Sequence, residues 1–245
     1  MPTPLLSDSF PETTIDYPET DGEPMAESDV QRNYLTYAVE ALRDHFRSRP
    51  DCYVSGNLLI YYDEGNPRAA VDPDCFVVFG VPGHDRRIYK VWEEGGAVPS
   101  FVLEVTSRST RAEDCGSKRG VYAYLGVREY WQYDPTGDYL RPPLRGWVRD
   151  GDQYREIQRG LGPDRDFALL SEVLGLELHL HAGRLRFRDP ATSAWLRTYR
   201  ESADDRRAAE AARAAAERES RALRERLADL EARFDPAFRP LVRSD

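Results

Sequence analysis

Residues 99–131 read PSFVLEVTSRSTRAEDCGSKRGVYAYLGVREYW, and this stretch predicts the centre of the fold. Its opening run, residues 101–106, is short, β-branched and apolar on both faces, which is typical of a strand that is covered on both sides. Glu104 lies inside that run. A carboxylate in such a strand is costly to bury unless a cation, a metal ion or several hydrogen-bond donors face it. Glu104 is therefore the first candidate functional residue.

The residues that follow predict a helix and a second strand. Thr110 and Glu113 fit a capping box, so we expect a helix that begins near Arg111 and ends before Gly126. Residues 129–133 form another short apolar run, typical of a strand. A strand, a helix and a strand in this order predict a crossover unit in one sheet.

Lys118 lies on the predicted helix, and its residue type is unusual in this chain. Lysine and arginine together number 34, but lysine occurs only at positions 90 and 118. Asp114, Lys118 and Tyr122 are spaced by four and share one helix face. A compact ammonium group is not interchangeable with a guanidinium, which makes Lys118 a second candidate functional residue.

Length and charge bound the class of protein. The 245 residues suffice for one large domain, or for one domain with appendages. The formal net charge is −9, but the first 30 residues hold eight acidic side chains and no Lys or Arg. The remaining body is close to neutral. This balance excludes a protein that coats DNA through a general basic excess.

The cysteine and histidine content is equally sparse. The three cysteines, at 52, 75 and 115, have no paired spacing, and no signal peptide or membrane-spanning apolar run is present. We therefore expect a protein of the reducing cytoplasm with no membrane partner. His179 and His181 share one face of a short predicted strand, but without a third ligand they do not predict a metal site.

The composition predicts three parts. Residues 1–25, rich in Pro, Thr, Ser and acids, predict an extended acidic arm. Residues 26–190 predict the main domain, and residues 198–234, rich in Ala, Arg and Glu, predict a C-terminal helix. Within the main domain we expect a helix over 28–47, strands over 51–62 and 75–79, a helical turn over 167–174 and a hairpin over 176–188.

The predicted C-terminal helix has a short apolar seam. Leu223, Leu227, Leu230 and Phe234 follow a four-three-four spacing, which is that of a coiled coil. The register weakens before Leu223 and covers fewer than two heptads. A short coiled coil and a solvated helix that docks its leucines on the body both agree with this pattern.

Asp74 and Glu104 predict a metal site. Asp74 precedes the apolar strand 75–79, and two carboxylates on neighbouring strands repel each other unless a divalent cation lies between them. Such oxygen ligands suit Mg²⁺ or Mn²⁺, which can polarise a phosphoryl oxygen and lower the pKa of a bound water. In the alternative interpretation, Glu104 pairs with Lys118 or an arginine, and Asp74 caps a turn. The spacing alone does not decide between them.

In order along the chain, these residues resemble a known family. The pattern comprises Pro73-Asp74, Glu104-Val105-Thr106-Ser107, Ser109-Thr110, Asp114, Lys118, Tyr122, Gly126, Glu129-Tyr130-Trp131 and Asp134-Pro135. This combination, over roughly residues 25–181, resembles the Uma-type restriction endonucleases of the PD-(D/E)XK nuclease superfamily. The ordered combination is more specific than any one of its motifs.

The resemblance implies a fold and a reaction. The fold is α/β: a restriction-endonuclease-like core with a mixed central sheet flanked by helices, here with a C-terminal helix added. The reaction is hydrolysis of DNA phosphodiester bonds by in-line attack of a water that Mg²⁺ or Mn²⁺ activates. Homodimers are common among such enzymes, and the C-terminal helix can supply the contact. RNA is not distinguished from DNA. The alternative is a catalytically degenerate nuclease fold that binds another protein through its C-terminal helix.

The resemblance also implies the roles of residues. Asp74 and Glu104 are implied metal ligands, with the main-chain carbonyl of Val105 as a further ligand. The superfamily's lysine stands two residues after the acid, where this chain has Thr106. In the Uma-type family this role moves to the following helix, to Lys118. Pairing of Lys118 with Asp114 is the alternative.

Three further residues have two interpretations each, and two arginines have one. Asp114 either orients Lys118 or favours the helix N-terminus. Tyr122 either reaches the site or packs in the core. Glu27, just before the first helix, either completes the metal site from that side or is an N-terminal helix charge. Arg108 and Arg111 follow the catalytic strand and are candidates for contacts with substrate phosphates.

Overall fold

The computed structural model describes residues 15–20, 28–106, 116–158, 160–161 and 167–234. Its contacts cluster into two units, residues 1–196 and residues 197–245. Within the described residues there are three helices and thirteen strands. In chain order they are α1 (Asp29–His45), β1 (Cys52–Ser55), β2 (Ile60–Tyr61), β3 (Ala70–Val71), β4 (Cys75–Phe79), β5 (Tyr89–Lys90), β6 (Phe101–Val105), α2 (Ser117–Leu125), β7 (Glu129–Tyr133), β8 (Leu144–Asp150), β9 (Gln153–Glu156), β10 (Gly160–Leu161), β11 (Phe167–Ser171), β12 (Leu176–His181), β13 (Arg184–Arg188) and α3 (Tyr199–Phe234).

The central sheet of the first unit has six strands in the order β1-β4-β6-β7-β8-β9. It is mixed, because β6 and β7 are parallel whereas the other neighbours are antiparallel. The parallel pair is the predicted strand-helix-strand unit, with Phe101 opposite Glu129 and Val105 opposite Tyr133. A mixed sheet with flanking helices, followed by a C-terminal helix, confirms the predicted fold class.

Two smaller sheets accompany the central one. The four-stranded sheet has the order β10-β11-β12-β13, and the three-stranded sheet has the order β3-β2-β5. Strands β12 and β13 form the predicted hairpin over 176–188.

The two faces of the central sheet belong to separate cores. Phe101, Leu103 and Val105 of β6 pack in a cluster that includes residues of α1 and of β11 to β13. Val102 packs on the other face, in a cluster that includes Tyr122 of α2. Because β6 is covered on both faces, its sequence is a continuous apolar run. Glu104 points toward α2, and only 1% of it is exposed.

Helix α1 begins where the sequence predicts. The Ser28 hydroxyl accepts a hydrogen bond from the Gln31 N–H, and the Gln31 side chain accepts one from the Ser28 N–H, which makes a capping box. The helix buries Tyr37, Ala38 and Leu42 on one stripe. The helix predicted over 28–47 is confirmed.

Helix α2 ends where the sequence predicts, at Gly126, whose φ of 85° is left-handed and favours glycine. The predicted start near Arg111, with its capping pair Thr110 and Glu113, lies outside the described residues. The described helix begins at Ser117.

The strand predicted over 51–62 is wrong, because the chain forms two strands, β1 and β2, in different sheets. The chain turns between them at Gly56 and at Asn57, whose φ is 48°. A Cβ atom on Gly56 would lie 2.0 Å from the carbonyl oxygen of Asp74. Glycine at position 56 therefore allows the chain to leave the central sheet while its backbone packs directly against Asp74.

The helical turn predicted over 167–174 is also wrong. Residues 167–171 form β11, which pairs antiparallel with β12 from Phe167 opposite Leu180 to Ser171 opposite Leu176. Leu169 of this strand is buried in the same core as α1. Pairing with β12 and burial in this core override the local preference for a helical turn.

Asp134 organises the turn that follows β7. Its carboxylate accepts hydrogen bonds from the N–H groups of Thr136, Gly137, Tyr139 and Leu140. Burial alone would raise the pKa of Asp134, but the N–H groups of Leu140 and Tyr139 and the groups of Thr136 outweigh it and hold this pKa below its ordinary value.

The second unit contains α3. Leu223, Leu227 and Leu230 on this helix are 60%, 57% and 43% exposed. Among the helices of the described ranges, none is long and apolar enough to cross a membrane.

Candidate active site

The pairing of β4 with β6 brings Asp74 and Glu104 together. Cys75 lies opposite Leu103 in this antiparallel pair, so the next positions, Asp74 and Glu104, face each other across the two strands. The Val105 N–H donates to Asp74 Oδ2 at 2.6 Å, and the Asp74 N–H donates to Glu104 Oε2 at 3.4 Å. Each carboxylate is thus held by the backbone of the other strand.

Lys118 reaches this pair from α2. Its Nζ lies 3.5 Å from Glu104 Oε1 and 3.2 Å from Asp72 Oδ1, and it donates to the Asp72 carbonyl oxygen at 3.3 Å. Only 14% of the Lys118 side chain is exposed. The structure therefore brings together the three residues that the sequence singled out. The alternative pairing of Lys118 with Asp114 lies outside the described residues.

Tyr122, one turn further along α2, contacts both the site and the core. Its hydroxyl donates to Glu104 Oε1 at 2.7 Å, and its ring centroid lies 5.3 Å from that of Tyr130. Both interpretations of Tyr122 therefore agree with the structure. Burial, and next the charge of Glu104, raise the pKa of Tyr122 well above its usual value, so it acts as a hydrogen-bond donor.

The electrostatics of the site centre on Glu104. Burial raises the pKa of this carboxyl, and the nearby Asp72 carboxylate acts in the same direction. The Lys118 ammonium, the Tyr122 hydroxyl and the Asp74 N–H act in the opposite direction but leave the pKa of Glu104 above its ordinary value. A divalent cation beside Glu104 would lower this pKa and stabilise the carboxylate.

Gln31 and Asp72 lie at the site, although the sequence did not single them out. The Gln31 Nε2 group donates to the Val105 carbonyl oxygen at 3.2 Å, so α1 reaches the site through Gln31. Its only signal in the sequence is the Ser28-x-x-Gln31 capping pattern. The signal for Asp72 in the sequence is its position directly before Pro73-Asp74. Glu27, just before the first helix and predicted to complete the metal site from that side, lies outside the described residues.

The turn after β1, at Gly56 and Asn57, contacts the backbone of Pro73 and Asp74. Besides the close approach of Gly56 to the Asp74 carbonyl oxygen, the Asn57 N–H donates to the Pro73 carbonyl oxygen at 3.0 Å. This turn therefore fixes the Pro73-Asp74 peptide against the sheet.

Thr106 lies beside Glu104, on the same face of the sheet. Its N–H donates to the Tyr133 carbonyl oxygen at 2.8 Å. Its hydroxyl is buried and has no hydrogen-bond partner among the residues that the structure describes. Arg108, Arg111 and Asp114 lie outside those residues.

The residues present fit a hard divalent cation. The Asp74 and Glu104 carboxylates and the Val105 carbonyl group are neighbours, and Mg²⁺ takes one or two carboxylates and keeps several waters. The Thr106 hydroxyl is a group that such a water can hydrogen-bond. Within the described ranges, no three His, Cys, Asp or Glu side chains form a metal-binding group. A divalent cation at this site would therefore need the Val105 main-chain carbonyl and water molecules as further ligands.

Comparison with known families supports a nuclease. The family model described as "Uma2: Putative restriction endonuclease" matches residues 8–181. The chain belongs to the Uma2 family. This membership confirms the resemblance seen in the residues, and it supports a nuclease-type hydrolase acting on nucleic acid.

A solved structure similar to this Uma2 protein is described as a "putative nuclease belonging to DUF820 from Anabaena variabilis ATCC 29413". The two are 11% identical with a TM-score of 0.40, over 57% of this chain and 75% of that one. No curated protein matches the chain.

Proposed function

We propose that this Uma2 protein is an endonuclease that hydrolyses DNA phosphodiester bonds with Mg²⁺ or Mn²⁺. The observation that carries the proposal is the convergence of Asp74, Glu104 and Lys118, two carboxylates and an ammonium, at adjacent strand ends. A structural ion pair between Glu104 and Lys118 needs one acid and one base. This site holds a second carboxylate, that of Asp74, which accepts a hydrogen bond from the Val105 N–H beside Glu104.

The proposed roles follow from the contacts. Asp74, Glu104 and the Val105 carbonyl group would hold the metal, and a metal bound there would polarise a phosphate oxygen and lower the pKa of a water. Tyr122 donates to one Glu104 oxygen and leaves the other toward Asp74, so it orients the carboxylate. Lys118 places a positive charge within 3.5 Å of Glu104, where it can stabilise charge that develops on the phosphate oxygens.

Asp72 contacts Lys118 through both its carboxylate and its carbonyl oxygen. These contacts fix the ammonium on the site side of α2. We also propose that the protein acts in the reducing cytoplasm, since Cys52 and Cys75 are buried free thiols.

The proposed reaction predicts metal-dependent cleavage of supercoiled plasmid. Purified protein with Mg²⁺ or Mn²⁺ should nick or linearise the plasmid, and a chelator should abolish this activity. A labelled single-stranded RNA serves as the second substrate. Cleavage of RNA alone would assign the enzyme to RNA, and no metal-dependent cleavage of either substrate would contradict the proposed function.

We propose that α3 joins two copies of the chain, because the exposed Leu223, Leu227 and Leu230 form an apolar stripe at coiled-coil spacing. Light scattering should give the mass of a dimer for the wild type and of a monomer for the double variant Leu223→Ser, Leu227→Ser. A matched variant on the same helix, Ala212→Ser, should remain dimeric. A monomeric wild type would contradict the proposal. If the wild type were dimeric but did not cleave, the degenerate interaction module would be favoured.

A further inference from the structure

A groove with a volume of about 720 Å³ lies between α2 and the β8–β9 hairpin. Among its lining residues are Arg119, Gly120 and Tyr124 of α2 and Arg149, Asp152 and Tyr154 of the hairpin. Arg119 directly follows Lys118 in the helix. The groove therefore runs along the same helix that supplies the ammonium of the candidate active site, on an adjacent helix face.

The groove is cationic in a protein whose net charge is −9. The charged residues of its lining are two arginines, Arg119 and Arg149, and one acid, Asp152. Arg149 Nη2 lies 3.5 Å from Asp152 Oδ1, but Asp152 is fully exposed, so this pair is weak and leaves Arg149 able to bind an anion. Positive charge is thus concentrated where a polyanion can follow the helix.

Aromatic contacts shape the groove. The Arg119 guanidinium lies 5.5 Å from the centroid of the Trp147 ring, a contact that positions the side chain and uses none of its N–H donors. The Tyr154 hydroxyl donates to the Val127 carbonyl oxygen at 2.8 Å, which fixes the Tyr154 ring. Tyr124 is 82% exposed, which is unusual for a large aromatic residue. Two fixed side chains and one exposed ring therefore border the groove.

Gly120 lies within α2, where glycine is the poorest helix former except proline. A Cβ atom at this position would meet no atom within 4 Å, so packing does not require glycine. Its φ also lies outside the left-handed range, so the backbone does not require glycine either. The missing side chain instead leaves room in the groove for the close approach of another backbone.

We propose that this groove binds the sugar–phosphate backbone of the DNA strand next to the scissile phosphate. Arg119 and Arg149 bind phosphates, and Tyr124 stacks on a sugar or a base. The inference rests on the proposed nuclease function and adds to it the surface that holds the substrate beside the reaction.

The test measures binding of a fluorescein-labelled DNA duplex by anisotropy over a range of salt concentrations, with Ca²⁺ in place of Mg²⁺ to suppress turnover. Arg119→Ala and Arg149→Ala should each raise Kd about tenfold and reduce the slope of log K against log salt by about 0.9. The matched control is Arg155→Ala. Arg155 follows Tyr154 on the same strand, so it points to the opposite face, where it pairs with Asp150 at 3.6 Å. This control should leave both quantities unchanged.

A second variant separates binding from folding. Gly120→Gln should raise the thermal unfolding midpoint, because glutamine favours the helix, and should nevertheless weaken DNA binding, because its side chain fills the groove. If Gly120→Gln bound DNA as tightly as the wild type, the groove would not hold the backbone.

The outcomes distinguish this inference from the proposed function. If the wild type bound and cleaved DNA while Arg119→Ala and Arg149→Ala behaved like Arg155→Ala, the groove inference would fail and the nuclease would stand. If the wild type bound neither DNA nor an RNA of the same sequence, both would fail. If Arg119→Ala and Arg149→Ala bound the RNA probe more weakly than the wild type but bound the DNA probe equally well, the assignment to DNA would be overturned.

Discussion

Replacing Glu104 by glutamine should lower the rate of DNA cleavage by about a thousandfold or more while the protein remains folded. Glutamine keeps the shape of the side chain but removes its charge. A metal ion contributes several kcal/mol to stabilising the transition state, and each 1.36 kcal/mol is a factor of ten in rate. The fold should tolerate the change, because Tyr122 and Lys118 can both donate to the amide oxygen at the Oε1 position, and burial no longer opposes a charge. The amide nitrogen then replaces Oε2, whose hydrogen bond from the Asp74 N–H is long at 3.4 Å, so little is lost there.

The measurement pairs a plasmid cleavage rate with a thermal unfolding curve, and the chain offers a matched control in Glu129→Gln. Glu129 is a second buried glutamate, on β7 and on the opposite face of the sheet. Its carboxylate accepts hydrogen bonds from Trp131, Ser171 and Val173. Glutamine would turn an amide N–H₂ toward one of these donors, so we expect a loss of about 1–3 kcal/mol in stability.

The two substitutions should therefore have different effects: one on stability and the other on activity. Glu129→Gln should unfold at a lower temperature and cleave at near the wild-type rate below that temperature. Glu104→Gln should unfold near the wild-type temperature and not cleave. Wild-type cleavage by Glu104→Gln would remove this residue from the reaction.

The parts of the fold that the sequence predicted are those with local signals. Strands β4 and β6 are covered on both faces, so each has a continuous apolar run, and α1 has a capping box followed by a buried stripe. The break between β1 and β2 has a cause distant in sequence: the approach of Gly56 to the Asp74 carbonyl oxygen. β11 likewise depends on pairing with β12. Neither cause is visible in the residues of the segment itself.

The same distinction applies to the site. Asp74 and Glu104 were predicted to be neighbours because an acid at the end or inside an apolar strand is locally anomalous, and the structure places them opposite each other. Gln31 was missed because its residue type already has a sufficient local explanation as a helix cap. Its contact with the Val105 carbonyl oxygen joins residues 74 positions apart. Asp72 was missed because its partner, Lys118, lies on another element.

Replacing Lys118 by alanine should lower the rate of cleavage about 10²–10³-fold, the usual effect of removing one group that stabilises transition-state charge. The control is Lys90→Ala, which removes the only other lysine. Lys90 pairs with Glu93 at 2.9 Å, and its side chain is 22% exposed against 14% for Lys118, so the two changes are chemically matched. Lys90→Ala should cleave at the wild-type rate. Lys118→Arg should restore only part of the activity, because a planar guanidinium does not fit the position of a compact ammonium between Asp72 and Glu104.

The dependence of the rate on Mg²⁺ concentration separates two roles for Lys118. If the ammonium acts on the phosphate, the loss in Lys118→Ala should persist at saturating metal. If it is only a counter-ion for Glu104, its removal leaves the carboxylates more attractive to a divalent cation, because one positive charge 3.5 Å from Glu104 Oε1 is gone. The variant would then need less Mg²⁺ and would recover the wild-type rate once the metal is bound. We expect the first result, since Asp72 already offers Lys118 an acidic partner that a simple ion pair requires, and the ammonium nevertheless extends to Glu104.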